Sequence, residues 1–201
     1  MTTKAKPSAR DLKRQQTRER LLAAAIVEFK RAGMVDADVG TIVAAAGVAH
    51  GTFFFHFPTK EHVLLELEKR EEVRMEADFR GGLTDDSDLE HVLNHAVVVV
   101  KSLERRLGKR LFKDFLALHF STSQPPEKNW VEHPFIVSVV EKIEAARVRG
   151  ETNGRTDSMM HAVFFLLGLY ALLITLPAAA RSRDPVVEQY VATTLHGMVA
   201  P

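Results

Sequence analysis

Apolar positions recur at helical spacing along most of the chain, and few stretches alternate as a strand would. Leu22, Ile26 and Phe29, at i, i+4 and i+7, predict a helix from about Asp11 to Ala32, ended by Gly33. Asp38 is placed to cap a short helix from Val39 to Ala45. Ala46-Gly47-Val48 reads as a tight turn, and Ala49 to Phe57 as another short helix, stopped by Pro58 because proline disfavours helical geometry in the residue before it. A long helix from about Thr59 to Phe79, with a charged outer face, ends at Gly81-Gly82. Ser87-Asp88-Leu89-Glu90 fits a capping box that opens a helix to about Leu107. Gly108 separates it from an aromatic-rich helix, Arg110 to Phe120, and Ser121 to Asn129 with Pro125-Pro126 reads as a loop. Pro134 suits the first position of a helix running to Arg149. Two more follow, one from near Asp157 and one from Asp184-Pro185 to about Val199. The pattern predicts an all-α chain of nine helices without repeats or hairpins.

Composition narrows the chemistry. With 201 residues, 46% of them apolar, the chain has room for one or two domains with real cores. It has no cysteine, which excludes a disulfide framework, a thiolate nucleophile and cysteine-ligated zinc or iron–sulfur, and is compatible with a reducing cytoplasm. The first uninterrupted apolar stretch, Leu21 to Val27, is closed by Glu28 and is too short for a signal peptide, so a cytoplasmic location is expected. Formal charge sums to only +1 but is unevenly spread. Residues 1–20 carry seven basic side chains (Lys4, Lys6, Arg10, Lys13, Arg14, Arg18, Arg20) against Asp11 and Glu19, a net +5. Residues 21–60 balance, and residues 61–201 carry 17 basic against 21 acidic, a net −4. That asymmetry points to a polyanion partner at the N-terminal end.

A helix, a glycine-containing turn and a second short helix within about 20 residues make a helix-turn-helix, whose second helix enters the DNA major groove. Ile42, Val43, Val48, Phe53 and Phe57 supply a small core, and Gly47 the left-handed residue of the turn. The run Ile-Val-Ala-Ala-Ala-Gly-Val-Ala-His-Gly-Thr-Phe-Phe-Phe-His-Phe-Pro-Thr-Lys-Glu, from Ile42 to Glu61, resembles the N-terminal signature of the tetracycline-repressor (TetR) family. Leu21-Leu22-Ala23-Ala24-Ala25, Phe29 and Gly33 are similar to its first helix. The likeness spans about residues 17–66, a quarter of the chain; the rest matches only in length and all-helical pattern. It implies a three-helix DNA-binding domain at residues 11–60 and a larger helical ligand-binding and dimerisation domain at 61–201. Ahead of them the basic charge, Pro7-Ser8 and few apolar residues suggest a flexible basic arm at 1–10 that follows the DNA, the alternative being a solubilising tail.

Carried over by position, the resemblance places His50, Gly51 and Thr52 at the start of the recognition helix, where side chains meet base edges. Phe54, His56 and Lys60 fall where phosphates are usually contacted, and Thr41, Arg14 and Arg18 complete the DNA-facing set. The chemistry agrees for Thr52, which donates and accepts, for His56, which can donate to a phosphate oxygen, and for the Lys60 charge. Three departures stand out. Phe54 lacks the hydroxyl of the tyrosine common there, Ala49 stands where serine is frequent, and Asp38, in place of a threonine, would repel a phosphate if it pointed at one.

Met159 to Ala180 is 22 residues without a formal charge, long enough to span a membrane. His161 and Pro177 interrupt it, and a soluble helix that is apolar all round is one buried on every side. The resemblance implies that the last two helices, about 157–180 and 184–199, pair with their counterparts in a homodimer. A membrane anchor is the competing reading. His91 and His95 have metal-ligand spacing but no third ligand, and the acidic cluster Asp85, Asp86, Asp88 and Glu90 lacks the spacing of a calcium loop, so no metal is expected. There is no phosphate loop, nucleophile elbow or convincing carboxylate pair, and neither catalysis nor a cofactor is expected. A pocket for a small effector can draw on His95, Phe115, His119, Phe120, Trp130, Phe164 and Tyr170, which serve equally well as ordinary core. Few charges interrupt these helices, so the ligand expected is apolar or amphipathic. Together these readings describe a homodimeric transcriptional repressor that leaves a palindromic double-stranded operator when a small effector binds. The alternative is a ligand-binding or membrane-tethered helical protein whose helix-turn-helix no longer binds DNA.

Overall fold

The computed structural model describes residues 8–119, 133–154, 157–177 and 180–199. Eight helices follow in order: α1 (Ala9–Ala32), α2 (Val39–Ala46), α3 (His50–His56), α4 (Lys60–Gly81), α5 (Leu89–His119), α6 (Pro134–Val148), α7 (Ser158–Thr175) and α8 (Ala180–Met198). Among the described residues there is no strand, only a single antiparallel bridge between Thr152 and Val199. The fold is all-α, as the pattern predicts. The ninth helix is absorbed into α5, whose backbone leaves helical geometry at Gly108 (φ 73°, ψ 161°), where the sequence predicts a break. Phe120 and the expected loop at 121–129 lie outside the described residues.

Four boundaries differ from expectation, each for a local reason. α1 begins at Ala9 because Ser8 and Asp11 form a reciprocal capping box: the Ser8 hydroxyl accepts from the Asp11 amide at 3.2 Å, and the Asp11 carboxylate accepts from the Ser8 amide at 3.2 Å. At α5 the cap is Asp88, which takes the His91 amide at 2.7 Å, while the Ser87 hydroxyl turns back to the Thr84 amide. A charged acceptor makes the stronger bond to that amide. α7 stops at Thr175 because Leu176, ahead of Pro177, is extended (ψ 148°). α8 begins at Ala180, with Pro185 inside it, because its first turn is anchored to α5: Arg183 meets Glu104 at 2.7 Å, and Lys101 meets Asp184 at 2.8 Å.

The chain divides into two compact units. One comprises the chain through Glu68 together with Leu107–Leu118; the other comprises Lys69–Arg106 and the chain from His119 onward. The core of the first contains Leu21, Leu22, Ala25 and Phe29 of α1, Ile42, Val43 and Ala46 of α2, and Phe53 and Phe57, all buried, as are Leu111, Phe112 and Phe115. Val48, expected in this core, is half-buried. Buried Glu28 fixes the turn after α1, holding Arg31 at 2.6 Å and the Asp38 amide at 3.3 Å. Asp114 accepts the Met34 amide at 2.7 Å, and Arg110 donates to the Arg31 carbonyl, so the second half of α5 is tied to that same turn.

In the second unit α6 and α7 pack together around buried Phe135, Val139, Ile143, Phe165, Leu166 and Leu169. Tyr190 joins α8 to α7: its ring stacks on Phe165 (centroids 5.8 Å apart, 9° between planes), and its hydroxyl donates to the Phe164 and Phe165 carbonyls at 3.1 and 2.9 Å. α7 is the one described helix long and apolar enough on its own to cross a membrane, and 44% of it is buried.

Candidate nucleic-acid interface

The geometry of α2 and α3 follows from the residues at their ends. Asp38 caps α2, accepting from the Gly40 amide (3.2 Å), the Thr41 amide (2.7 Å) and the Thr41 hydroxyl (2.8 Å). Those bonds, the Thr41 amide first, hold the Asp38 carboxyl below its ordinary range. The carboxylate that the sequence sets against DNA is therefore engaged at the head of α2. At the other end Gly47 adopts the left-handed conformation (φ 63°, ψ 45°), with its amide bonded to Ala44 and that of Val48 to Val43. This pairing is a Schellman turn, which closes the helix and frees the chain to change direction. The axes of α2 and α3 differ by 95°, the relation of a helix-turn-helix.

On α3 the buried face is Phe53, His56 and, just past its end, Phe57; the outward stripe is His50, Gly51, Phe54 and Phe55. His50 is exposed at the first position, its ring 5.6 Å from that of Phe54. A Cβ at Gly51 would meet nothing within 4 Å, so this spot is open to a close-approaching partner. Thr52 is half-buried and Thr41 exposed. Ala49 makes no side-chain cap bond to α3.

Four members of the expected DNA-facing set are engaged or buried within the protein: Thr41 through its bond to Asp38, and Arg18, Lys60 and His56. Arg18 donates to the His56 carbonyl, pairs with Glu66 at 3.1 Å and lies 4.1 Å over the Phe57 ring, tying α1 to α3 and α4. Lys60 donates to the Val35 and Ala37 carbonyls at 2.6 and 3.2 Å, so its ammonium closes the turn before α2. His56 is buried, and burial followed by the Arg18 and Arg14 charges pushes its pKa down, towards a neutral ring. Arg14, by contrast, is exposed and sits 5.3 Å from the centroid of the Phe55 ring. Phe55, outside the expected set, is 68% exposed on α3. The spacing 50, 51, 54, 55 (i, i+1, i+4, i+5) would have shown it on the outward face.

Residues 21–67 match the family model for bacterial regulatory proteins of the tetR family. Over that segment the chain carries the N-terminal domain of the TetR family. No curated protein matches it significantly. Among solved structures it is similar to Thermus thermophilus FadR, a TetR-family transcriptional repressor in complex with lauroyl-CoA, with a TM-score of 0.69 and 23% identity over 92% of this chain and 96% of that one. The fatty acid degradation regulator FadR from Bacillus halodurans gives 0.65 and 18% over 95% and 97%. SmeT, repressor of the Stenotrophomonas maltophilia multidrug efflux pump SmeDEF, gives 0.61 and 20% over 92% and 93%. These likenesses carry the fold, and the matched segment supports a DNA-binding transcription regulator.

The expected effector residues divide between the two units of the TetR-family fold. Phe115 is buried in the first. In the second, half-buried His95 stacks on Phe79 (5.8 Å, 22°) with Nε2 3.2 Å from the Asp78 carbonyl oxygen, packed so closely that a Cβ on Gly82 would come within 2.1 Å of its ring. Tyr170 is buried; burial, then the Glu72 charge, pushes its phenol up so that it stays protonated. Phe164 is 60% exposed. Phe120 and Trp130 lie outside the described residues, as does the His119 side chain. Among the described residues no three potential ligands gather to hold a metal ion.

Proposed function

We propose that this protein is a homodimeric repressor that binds a palindromic operator and is released from it by a small apolar or amphipathic effector. The observation that carries the dimer is the uncovered side of α7: Met160 and Phe164 are 39% and 60% exposed on a helix with no formal charge. A contiguous exposed apolar face of this kind marks a protein or membrane contact. The Tyr190 bonds that fix α8 against α7 favour a second copy over a bilayer, because they make the two helices one rigid surface able to form a four-helix interface. Two α3 helices about 34–36 Å apart would then enter successive major grooves on one side of the duplex.

The second unit is the reading's effector domain. Lauroyl-CoA bound to Thermus thermophilus FadR supports an amphipathic ligand class, and buried Phe135 of α6 with Phe165 and Tyr170 of α7 suit one. Such a ligand shifts DNA affinity only by its differential affinity for two conformations. Residues 107–118 and α4 are the natural carriers, since both contribute to the unit that holds α2 and α3. The reading also places the protein in the cytoplasm, where DNA and effector meet. Its test is light scattering of the full chain with and without duplexes selected from the organism's own DNA. A dimer bound to an inverted repeat supports it; a monomer on DNA, or recovery only in membranes, refutes it.

A further inference from the structure

We propose that Phe55 is a positioning residue for DNA binding, whose ring face holds the Arg14 guanidinium where it meets a backbone phosphate. The inference rests on the reading of α3 as the recognition helix. Arg14 is exposed on α1 and lies 5.3 Å from the Phe55 ring centroid, while Phe55 is 68% exposed and meets His56 edge-on at 5.2 Å. Of the three cations that family position would assign to DNA, two are otherwise occupied: Arg18 by the His56 carbonyl and Glu66, and Lys60 by two loop carbonyls. Arg14 therefore stands beside α3 as an exposed permanent charge with an aromatic platform. A guanidinium stacked on a ring keeps its N–H edge directed outward, and it loses less side-chain freedom when a phosphate oxygen arrives. Phe55 thus acts through Arg14, pre-ordering a long side chain that would otherwise sample solvent.

The experiment measures the affinity of the full-length protein for its selected duplex and for a random-sequence duplex of about three helical turns, across a salt series. Arg14→Ala should lower the slope of log affinity against log salt by about 0.9, the value of one phosphate contact. Phe55→Ala should weaken binding to both duplexes by about two- to fivefold, the worth of an exposed cation–π contact, and lower the slope by part of that amount. Phe55→Tyr or Phe55→Trp should restore affinity and slope, and Phe55→Leu should not. In the double variant the losses should be no greater than for Arg14→Ala alone. Additive losses, or rescue by Phe55→Leu, would mean that Phe55 touches DNA on its own account or merely packs, and would overturn the proposal. Failure of the unaltered protein to bind any duplex overturns the DNA reading itself, and the pairing with it.

Discussion

Gly168 lies in the middle of α7, where an ordinary solvent-facing glycine would be improved by alanine by about 0.5–1 kcal/mol. Here the sign should reverse. A Cβ on Gly168 would stand 2.2 Å from the Tyr190 hydroxyl oxygen, 2.6 Å from Cζ and 2.9 Å from Cε2. The tyrosine cannot simply swing aside, because its hydroxyl is bonded to two successive carbonyls and its ring is stacked on buried Phe165. Displacing it forfeits about 0.5–1.5 kcal/mol of hydrogen bonding and adds about 1–3 kcal/mol of overpacking strain. Less the gain in helix propensity, Gly168→Ala should cost about 0.5–4 kcal/mol. For a chain of this size that is a fall in melting temperature of about 2–4 °C per kcal/mol, read by circular dichroism. In a Tyr190→Ala background the obstacle is gone, and the same substitution should become neutral or stabilising. Stabilisation by Gly168→Ala in the unaltered chain would mean that Tyr190 gives way without cost.

Other positions give sharper local tests. Arg183→Met leaves buried Glu104 without its 2.7 Å partner and should cost about 3–5 kcal/mol by urea unfolding, most of it recovered by adding Glu104→Leu; an equal loss in the double variant would contradict the pairing. Gly108→Ala should destabilise by about 1–3 kcal/mol although nothing lies within 4 Å of the new Cβ, because φ 73°, ψ 161° is glycine's territory; a neutral melting curve would contradict this. His56 and His161 both have pKa values lowered chiefly by burial. A histidine depressed in the folded state binds more protons unfolded, so its contribution to stability is present above the ordinary 6.5 and is lost as pH falls through the folded value. Unfolding midpoints should drop across that window, less steeply in His56→Gln; a flat profile in the unaltered protein would be the contrary result.

Most of the fold was legible because its punctuation is local. Gly47, Gly108 and Pro58 act on their own backbone and neighbours, and each ends or breaks a helix where the sequence says it should. The start of α8 was not legible, because the partners that hold its first turn, Lys101 and Glu104, lie 83 and 79 residues away. Nor was the placement of Leu107–Leu118 with the DNA-binding helices, which rests on Asp114 finding the Met34 amide across 80 residues. The interface shows the same limit. Family position names a helix on which His50, Gly51 and Phe54 lie exposed, but a basic residue in a motif does not disclose whether its charge meets solvent or a carbonyl.

That distinction relocates the electrostatics. The outward stripe of α3 bears no permanent charge, and Lys60 at the head of α4 is spent on the turn before α2. Among residues 8–20 the exposed cations are Arg10, Lys13, Arg14 and Arg20, all on α1. Salt-dependent attraction should therefore be concentrated on α1, and discrimination between base pairs on α3, where His50 and Thr52 offer hydrogen bonds and the phenylalanine rings offer contact with methyl groups. The two contributions can then be changed independently. Removing α1 cations lowers affinity for every duplex and flattens its salt dependence, whereas His50→Ala narrows the gap between operator and random DNA without changing the salt slope. Lys60→Ala belongs to neither class: its effect on DNA should follow the loosening of the turn it holds and scale with lost stability.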